Sequence, residues 1–129
     1  PALIRKFHEA KMQQAASVEI WGTGTPLREF LHVDDLAAAC LQLMDHYDEA
    51  GFLNVGSGEE VSIRDLAELI RDITGFTGEL RFDPSRPDGT ARKLMDSSKI
   101  RSLGWSPKIS LKNGISAVYK DYQAAFTPA

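Results

Sequence analysis

The chain has 129 residues, a formal net charge of −3, 43% hydrophobic and 26% charged residues. That length supports one domain with a real core, and the mild negative charge argues against a general nucleic-acid binder. The single cysteine, Cys40, excludes an internal disulfide and suits a reducing, cytoplasmic setting. No apolar run approaches a membrane span.

In chain order, Pro1 to about Gln14 predicts a helix, with Leu3, Ile4, Phe7 and Ala10 as its apolar stripe and Arg5 paired to Glu9. Lys6 falls off that stripe. Val18–Trp21 alternates as a strand. Gly22 and Gly24 then break the chain and Pro26 fixes a backbone angle. Arg28 opens a second extended run to Val33, and Asp34 or Asp35 is expected to cap a helix from Leu36 to about Tyr47. Its apolar face is Leu36, Ala39, Cys40, Leu43 and Met44, which makes Cys40 a small buried hydrophobe.

Phe52–Val55 predicts a short strand, and Gly56-Ser57-Gly58 a turn whose spacing matches no phosphate-loop pattern. Ser62 and Asp65 form a capping box for a helix to Thr74, which Gly75 stops. Glu79–Phe82 alternates as a strand. Asp83–Lys93, with two prolines and three basic residues, predicts a loop. A short helix follows, capped by Asp96 or Ser97 and stopped by Gly104. Ser110 caps the last helix, whose apolar face is Ile115, Val118, Tyr119 and Tyr122; Thr127–Ala129 is expected to fray. Alternating strands and helices predict α/β layering.

Trp21–Ala37, WGTGTPLREFLHVDDLA, concentrates the chemistry. It sets a guanidinium just after a Gly/Pro turn, near large aromatic rings. A ring can stack on a base and a guanidinium can fork onto phosphate. Arg28, Arg86, Arg92, Lys93 and Lys6 are the candidate cations for a diphosphate, and Arg28 and Arg86 lie on Gly/Pro-shaped loops where binding residues concentrate. Asp34 and Asp35 could be read as a catalytic carboxylate pair, but capping explains them better. His8, His32 and His46 are scattered, and no set of residues has metal-ligand spacing. His32 reads as a hydrogen-bonded structural residue.

The stretch resembles the extended short-chain dehydrogenase/reductase superfamily, many of whose members carry Arg-[Asp/Glu]-[Phe/Tyr]-[Ile/Leu]-His-Val-x-Asp-[Leu/Met]-Ala. Within it, Pro1–Ala10, Gly22–Leu27 and Arg86–Asp96 resemble the GDP-L-fucose synthase family, and the likeness runs to about Tyr122. The resemblance implies that residues 1–129 are the C-terminal, substrate-binding part of such an enzyme. The Asp35 helix and the Leu53–Val55 strand would then complete an N-terminal Rossmann domain that lies outside this chain. That domain would bind NADPH. The chain has neither Gly-x-x-Gly-x-x-Gly nor Tyr-x-x-x-Lys, so the resemblance places the catalytic and cofactor-binding residues upstream, and the chain alone is expected to be inactive.

By the same resemblance, the substrate is a GDP-sugar, gripped by Arg28 and Arg86 at the diphosphate, with Lys6, Trp21, Asp88 and Lys93 completing the set. No metal, nucleic acid or membrane is implied, and the full enzyme is expected to be a homodimer. Two alternatives stay open: another nucleotide-sugar epimerase or dehydratase of the superfamily, and a truncated, non-catalytic nucleotide-binding module.

Overall fold

In the computed structural model, residues 2–126 are described. Helix α1 spans Ala2–Met12, strand β1 Ser17–Trp21, β2 Leu27–Glu29, α2 Val33–His46 and β3 Glu60–Ser62. Helix α3 spans Ile63–Thr74, β4 Glu79–Asp83, β5 Arg92–Lys93, α4 Ser98–Ser102 and α5 Leu111–Phe126. Pro1 and Thr127–Ala129, named above in the first helix and the frayed tail, lie outside the described residues.

The strands form two small sheets. β1 pairs in parallel with β4, from Ser17↔Glu79 to Trp21↔Asp83. β2 is the centre of the other sheet, antiparallel to β3 and parallel to β5. The main core packs Ile4, Phe7 and Ala10 of α1 against Val18 and Ile20 of β1, Leu66, Ala67 and Ile70 of α3, Tyr119 of α5, and Phe76 from the loop after α3. Phe7 is fully buried and meets Phe76 edge-on at 5.8 Å between ring centroids. Apart from Phe76, which lies in no helix or strand, these are residues that helical and strand periodicity predict, because each element has one face to hide. A second, smaller cluster joins Ala39 of α2, Ile100 of α4 and Trp105.

Helix α3 has the predicted ends. Ser62 Oγ accepts the Asp65 N–H at 3.0 Å and donates to Asp65 Oδ2 at 2.6 Å, and Gly75 closes the helix at φ 69°. Arg5 meets Glu9 at 2.7 Å. At α5, Ser110 Oγ accepts from Asn113 N at 3.3 Å.

Five expectations are corrected. First, α2 starts at Val33, and its N-cap is His32, whose Nδ1 accepts from Asp34 N at 3.2 Å. Asp34 and Asp35 lie inside the first turn, so neither is the cap. Second, the extended run from Arg28 ends at Glu29, because the helix claims the residues from Val33. Third, Leu53–Val55 belongs to no strand, since no ladder partner reaches it among the described residues; the strand of this region is β3. Fourth, Arg92–Lys93, assigned above to a loop, is strand β5 on the edge of β2. Fifth, Cys40 is exposed. It shares α2 with Val33, Leu36, Leu41 and Met44, which are 68%, 42%, 65% and 80% exposed. Helical spacing defines a face but not what covers it, and among the described residues only the Ala39 side of α2 is packed. At α4, Ser97 occupies the cap position without a side-chain bond, while Asp96 Oδ1 accepts from Ser98 N at 2.9 Å.

Candidate nucleotide-binding site

The turn after β1 is built around two glycines with positive φ, Gly22 at 84° and Gly24 at 81°. Side chains rarely adopt that conformation. Space forbids one as well. A Cβ on Gly22 would stand 2.2 Å from Asp88 Oδ1, and one on Gly24 2.5 Å from the Phe82 ring. The turn is pinned to α3 by Arg64 N donating to Gly24 O at 2.9 Å and Ile63 N to Pro26 O at 3.0 Å. Arg64 Nη2 also donates to Thr23 O at 3.1 Å, while its guanidinium carbon sits 3.9 Å above the Phe82 ring.

From the other side the 84–91 loop folds back onto this turn. Asp88 does the fastening: Oδ1 accepts from Thr23 N at 2.7 Å and Oδ2 from Thr23 Oγ1 at 2.8 Å. Both Asp88 oxygens are therefore engaged within the chain. The same loop lays the Arg86 guanidinium 5.1 Å from the centre of the Trp21 ring, which is 63% exposed at the end of β1. Arg86 Nε also lies 3.7 Å from Asp83 Oδ2. Hydrogen bonds from the Ser85 hydroxyl and backbone, and then the Arg86 charge, hold the Asp83 carboxyl below its ordinary pKa against the opposing effect of burial.

Arg28 is half-buried at the centre of β2 and gives one N–H to Leu27 O at 2.7 Å. Its Nη2 lies 3.7 Å from where a Cβ of Gly89 would stand, so the guanidinium borders the same loop. Its register partner on β5 is Lys93, whose side chain makes no hydrogen bond or ion pair among the described residues. Adjacent register positions put the two cations side by side on one sheet face. Lys6 donates from α1 to Glu19 O, two residues before Trp21.

The structure thus gathers Trp21, Arg86, Asp88, Arg28 and Lys93 about one turn and one loop, with Lys6 along β1. Arg92, the fifth cation considered above, is committed elsewhere. It forks onto Glu60 of β3 at 2.6–2.9 Å, and the hydrogen bonds to Glu60, then its charge, raise the arginine pKa. Two open grooves, of about 600 Å³ and 270 Å³, take none of this set into their lining: the first is lined by Arg92, Met95, Ser97 and Arg101 among others, the second by Phe30, Glu60 and Lys108 among others.

Asp35, His32 and Glu29 of the Trp21–Ala37 stretch prove to be scaffolding. Asp35 is 5% exposed and accepts from Lys108 N at 3.0 Å and Ile109 N at 2.9 Å, so it fastens α2 to the approach to α5. His32 has its ring against Gly114 of α5, where a Cβ would come within 3.0 Å. Glu29 accepts from Gly58 N at 2.6 Å and from Met95 N at 3.1 Å. Sequence reading missed Glu29, Thr23 and Glu60. Acidic residues beside basic ones read as solvated charge until the backbone amides they serve are seen.

Comparison with known proteins decides what this scaffold is. Residues 1–56 match the NAD dependent epimerase/dehydratase family model. A rice (Oryza sativa subsp. japonica) protein named probable GDP-L-fucose synthase 1 is 62% identical over 122 residues, 95% of this chain and 37% of its own length. The chain resembles the C-terminal part of members of the NAD dependent epimerase/dehydratase family. Among solved structures, a GDP-mannoheptose C4 reductase from Campylobacter jejuni, with NADP bound, is 42% identical at TM-score 0.86, over 95% of this chain and 44% of that one. A GDP-L-fucose synthetase from Naegleria fowleri is 28% identical at TM-score 0.90, over 98% and 39%. The chain therefore spans well under half the length of the family members it matches. Its mixed α/β layering is that of the C-terminal part of an extended short-chain dehydrogenase/reductase.

Likeness to this family raises the question of a dinucleotide. The residues of this chain do not fit one. The Gly56-Ser57-Gly58 turn has its Gly58 N–H taken by Glu29, and Arg101 fills the place a Gly58 side chain would occupy while donating to Ser57 O. A pyrophosphate needs those amides open.

Proposed function

We propose that this chain is the GDP-sugar-gripping part of a GDP-L-fucose synthase. That activity converts GDP-4-keto-6-deoxy-D-mannose to GDP-L-fucose by inverting C3 and C5 and then reducing C4 with NADPH. The observation that carries the reading is the 62% identity, across 95% of the chain, to a relative bearing that name. In this reading NADPH is held by a Rossmann domain outside the chain, and so are the groups that move protons. The uncovered apolar side of α2 supports it, since such a face requires a neighbour. The whole enzyme works as a homodimer in the cytoplasm.

The chain's own residues supply binding and orientation. Arg28 offers a planar fork and Lys93 a mobile point charge, and together they match the roughly two negative charges of a nucleoside diphosphate. Trp21 offers a ring face to the base or sugar, with Arg86 stacked on it. Asp88 contributes through the loop it fastens at Thr23, and Lys6 from the flank of β1. A second reading, a reductase for a different GDP-sugar, is favoured by the 42% identity to the mannoheptose reductase. Both readings share the GDP grip and differ in the sugar.

Calorimetry with GDP tests the grip. Arg28→Ala should weaken GDP binding by about 1.5–3 kcal/mol, the worth of a hydrogen bond to a charged group, and Arg28→Lys should recover only part. Unchanged affinity in Arg28→Ala would return Arg28 to the solvated surface. A substrate screen on the full-length enzyme separates the two sugars.

A further inference from the structure

We infer that Glu29 is a positioning residue that sets the Arg28–Lys93 pair for its ligand. This rests on the GDP-grip reading above. Glu29 follows Arg28 on β2, so strand alternation sends the two side chains to opposite faces. Behind the sheet, the Glu29 carboxylate receives two neutral backbone donors from distant parts of the chain, Gly58 N at 2.6 Å and Met95 N at 3.1 Å. It contacts no cation among the described residues.

The Met95 bond is the telling one. Lys93 belongs to a strand of two residues, joined to β2 at Leu27↔Arg92 and Arg28↔Lys93, with Leu27 N donating to Ala91 O at 2.9 Å just before. So short a strand has few ladder bonds of its own, and the chain leaves the sheet immediately after Lys93. Glu29 catches it two residues on. Arg92 is secured to Glu60 from the β3 side. Lys93 and Leu94 lie between these two fixings, and the Lys93 side chain makes no hydrogen bond or ion pair among the described residues. The packing behind Glu29 is equally close: a Cβ on Gly56 would stand 2.4 Å from Glu29 Oε1. The carboxylate therefore fills a slot that glycine leaves open, and Gly56 does not lie in the positive-φ region.

Two perturbations reach the same carboxylate from opposite sides. Glu29→Gln removes one acceptor and turns an amide N–H toward a backbone N–H. Gly56→Ala leaves Glu29 intact but displaces it. Each should weaken GDP binding by the full chain about tenfold or more. Each should also change the rate at which Lys93 is acylated by a small amine reagent, read by peptide mass spectrometry without GDP. Ile70→Val, a core change on α3 at a residue that bonds neither Glu29 nor β5, should lower stability and leave both readouts unchanged. A loss of GDP affinity and altered Lys93 reactivity in both variants, absent in Ile70→Val, supports the inference. Lys93 reactivity equal to wild type in folded Glu29→Gln and Gly56→Ala overturns it, as does unchanged GDP affinity in both. Wild type that fails to bind GDP sinks the GDP-grip reading instead, and the acylation rates still decide whether Glu29 sets Lys93.

Discussion

Asp34 and Asp35 are neighbours of identical chemistry, and the structure assigns them unequal work. Asp35 is 5% exposed, and each of its oxygens takes one backbone N–H, from Lys108 at 3.0 Å and Ile109 at 2.9 Å. A hydrogen bond to a charged group contributes about 1.5–3 kcal/mol, and an orphaned buried donor costs about 1–3 kcal/mol. Part of the second cost is relieved by water entering the space an alanine leaves. Asp35→Ala should therefore cost about 3–4 kcal/mol, which for a chain of this size lowers Tm by roughly 10–15 °C. Asp35→Asn keeps one acceptor and should lose about half as much. The Asp34 side chain is 77% exposed and only approaches His32, at 3.7 Å. Asp34→Ala should cost under about 1 kcal/mol, the scale of an exposed charge near a helix N-terminus. Guanidinium denaturation of the three variants, with slopes compared to confirm a common unfolding transition, measures all of this. Equal losses at the two positions, or a larger one at Asp34, would refute the argument and restore the symmetrical capping role.

Three further outcomes follow from particular contacts. Gly22→Ala should destabilise the turn by several kcal/mol in denaturant melts, because φ is 84° and the new Cβ would stand 2.2 Å from the Asp88 carboxylate; a loss under about 1 kcal/mol would mean that the loop gives way freely. The Glu60 carboxyl is held below its ordinary pKa of 4.5, first by hydrogen bonds from Arg92 and then by its charge, with burial opposing. A depressed folded pKa stabilises the chain fully above the ordinary value and loses that contribution as pH falls through the folded one. The acid limb of stability below pH 4.5 should accordingly flatten in Glu60→Gln, and an identical limb in wild type and variant would remove Glu60 from it. Finally, Cys40 should react with a thiol reagent in the native chain at a rate near that of a free cysteine, since it is exposed; strong protection would show that the open side of α2 is covered in solution.

How much of this could be read in advance depended on the range of the forces involved. Helix α3 was legible to the residue because its signals are local: Ser62 and Asp65 three apart, an apolar stripe between, Gly75 at the stop. β1 and β4 were legible as alternating runs. Strands β3 and β5 were not, because segments of three and two residues are strands only by virtue of β2 between them. The helix cap was missed for a related reason. Aspartates outrank histidine as caps in general, but Asp35 is withdrawn to serve residues more than seventy positions away. At the candidate site, the cations and the ring were named from the sequence, while Arg92's commitment to Glu60 and the Asp88–Thr23 fastening needed the fold.

The parallel pairing of β1 with β4 carries a consequence for synthesis. Ser17 must wait for Glu79, roughly 60 residues later in the chain. At a translation rate of about 5–20 residues per second, that is a delay of roughly 3–12 s. During it, Val18 and Ile20 have left the ribosome with the α1 stripe beside them, but with neither α3 nor β4 to cover them. Of the elements of this chain, α1 and β1 then have only each other to pack against. The antiparallel β2–β3 pair and α3 follow next, and β4 then closes the first sheet over elements already made. The earliest part of this chain to be synthesised is thus among the last to be finished, and chaperone demand should be concentrated in that interval.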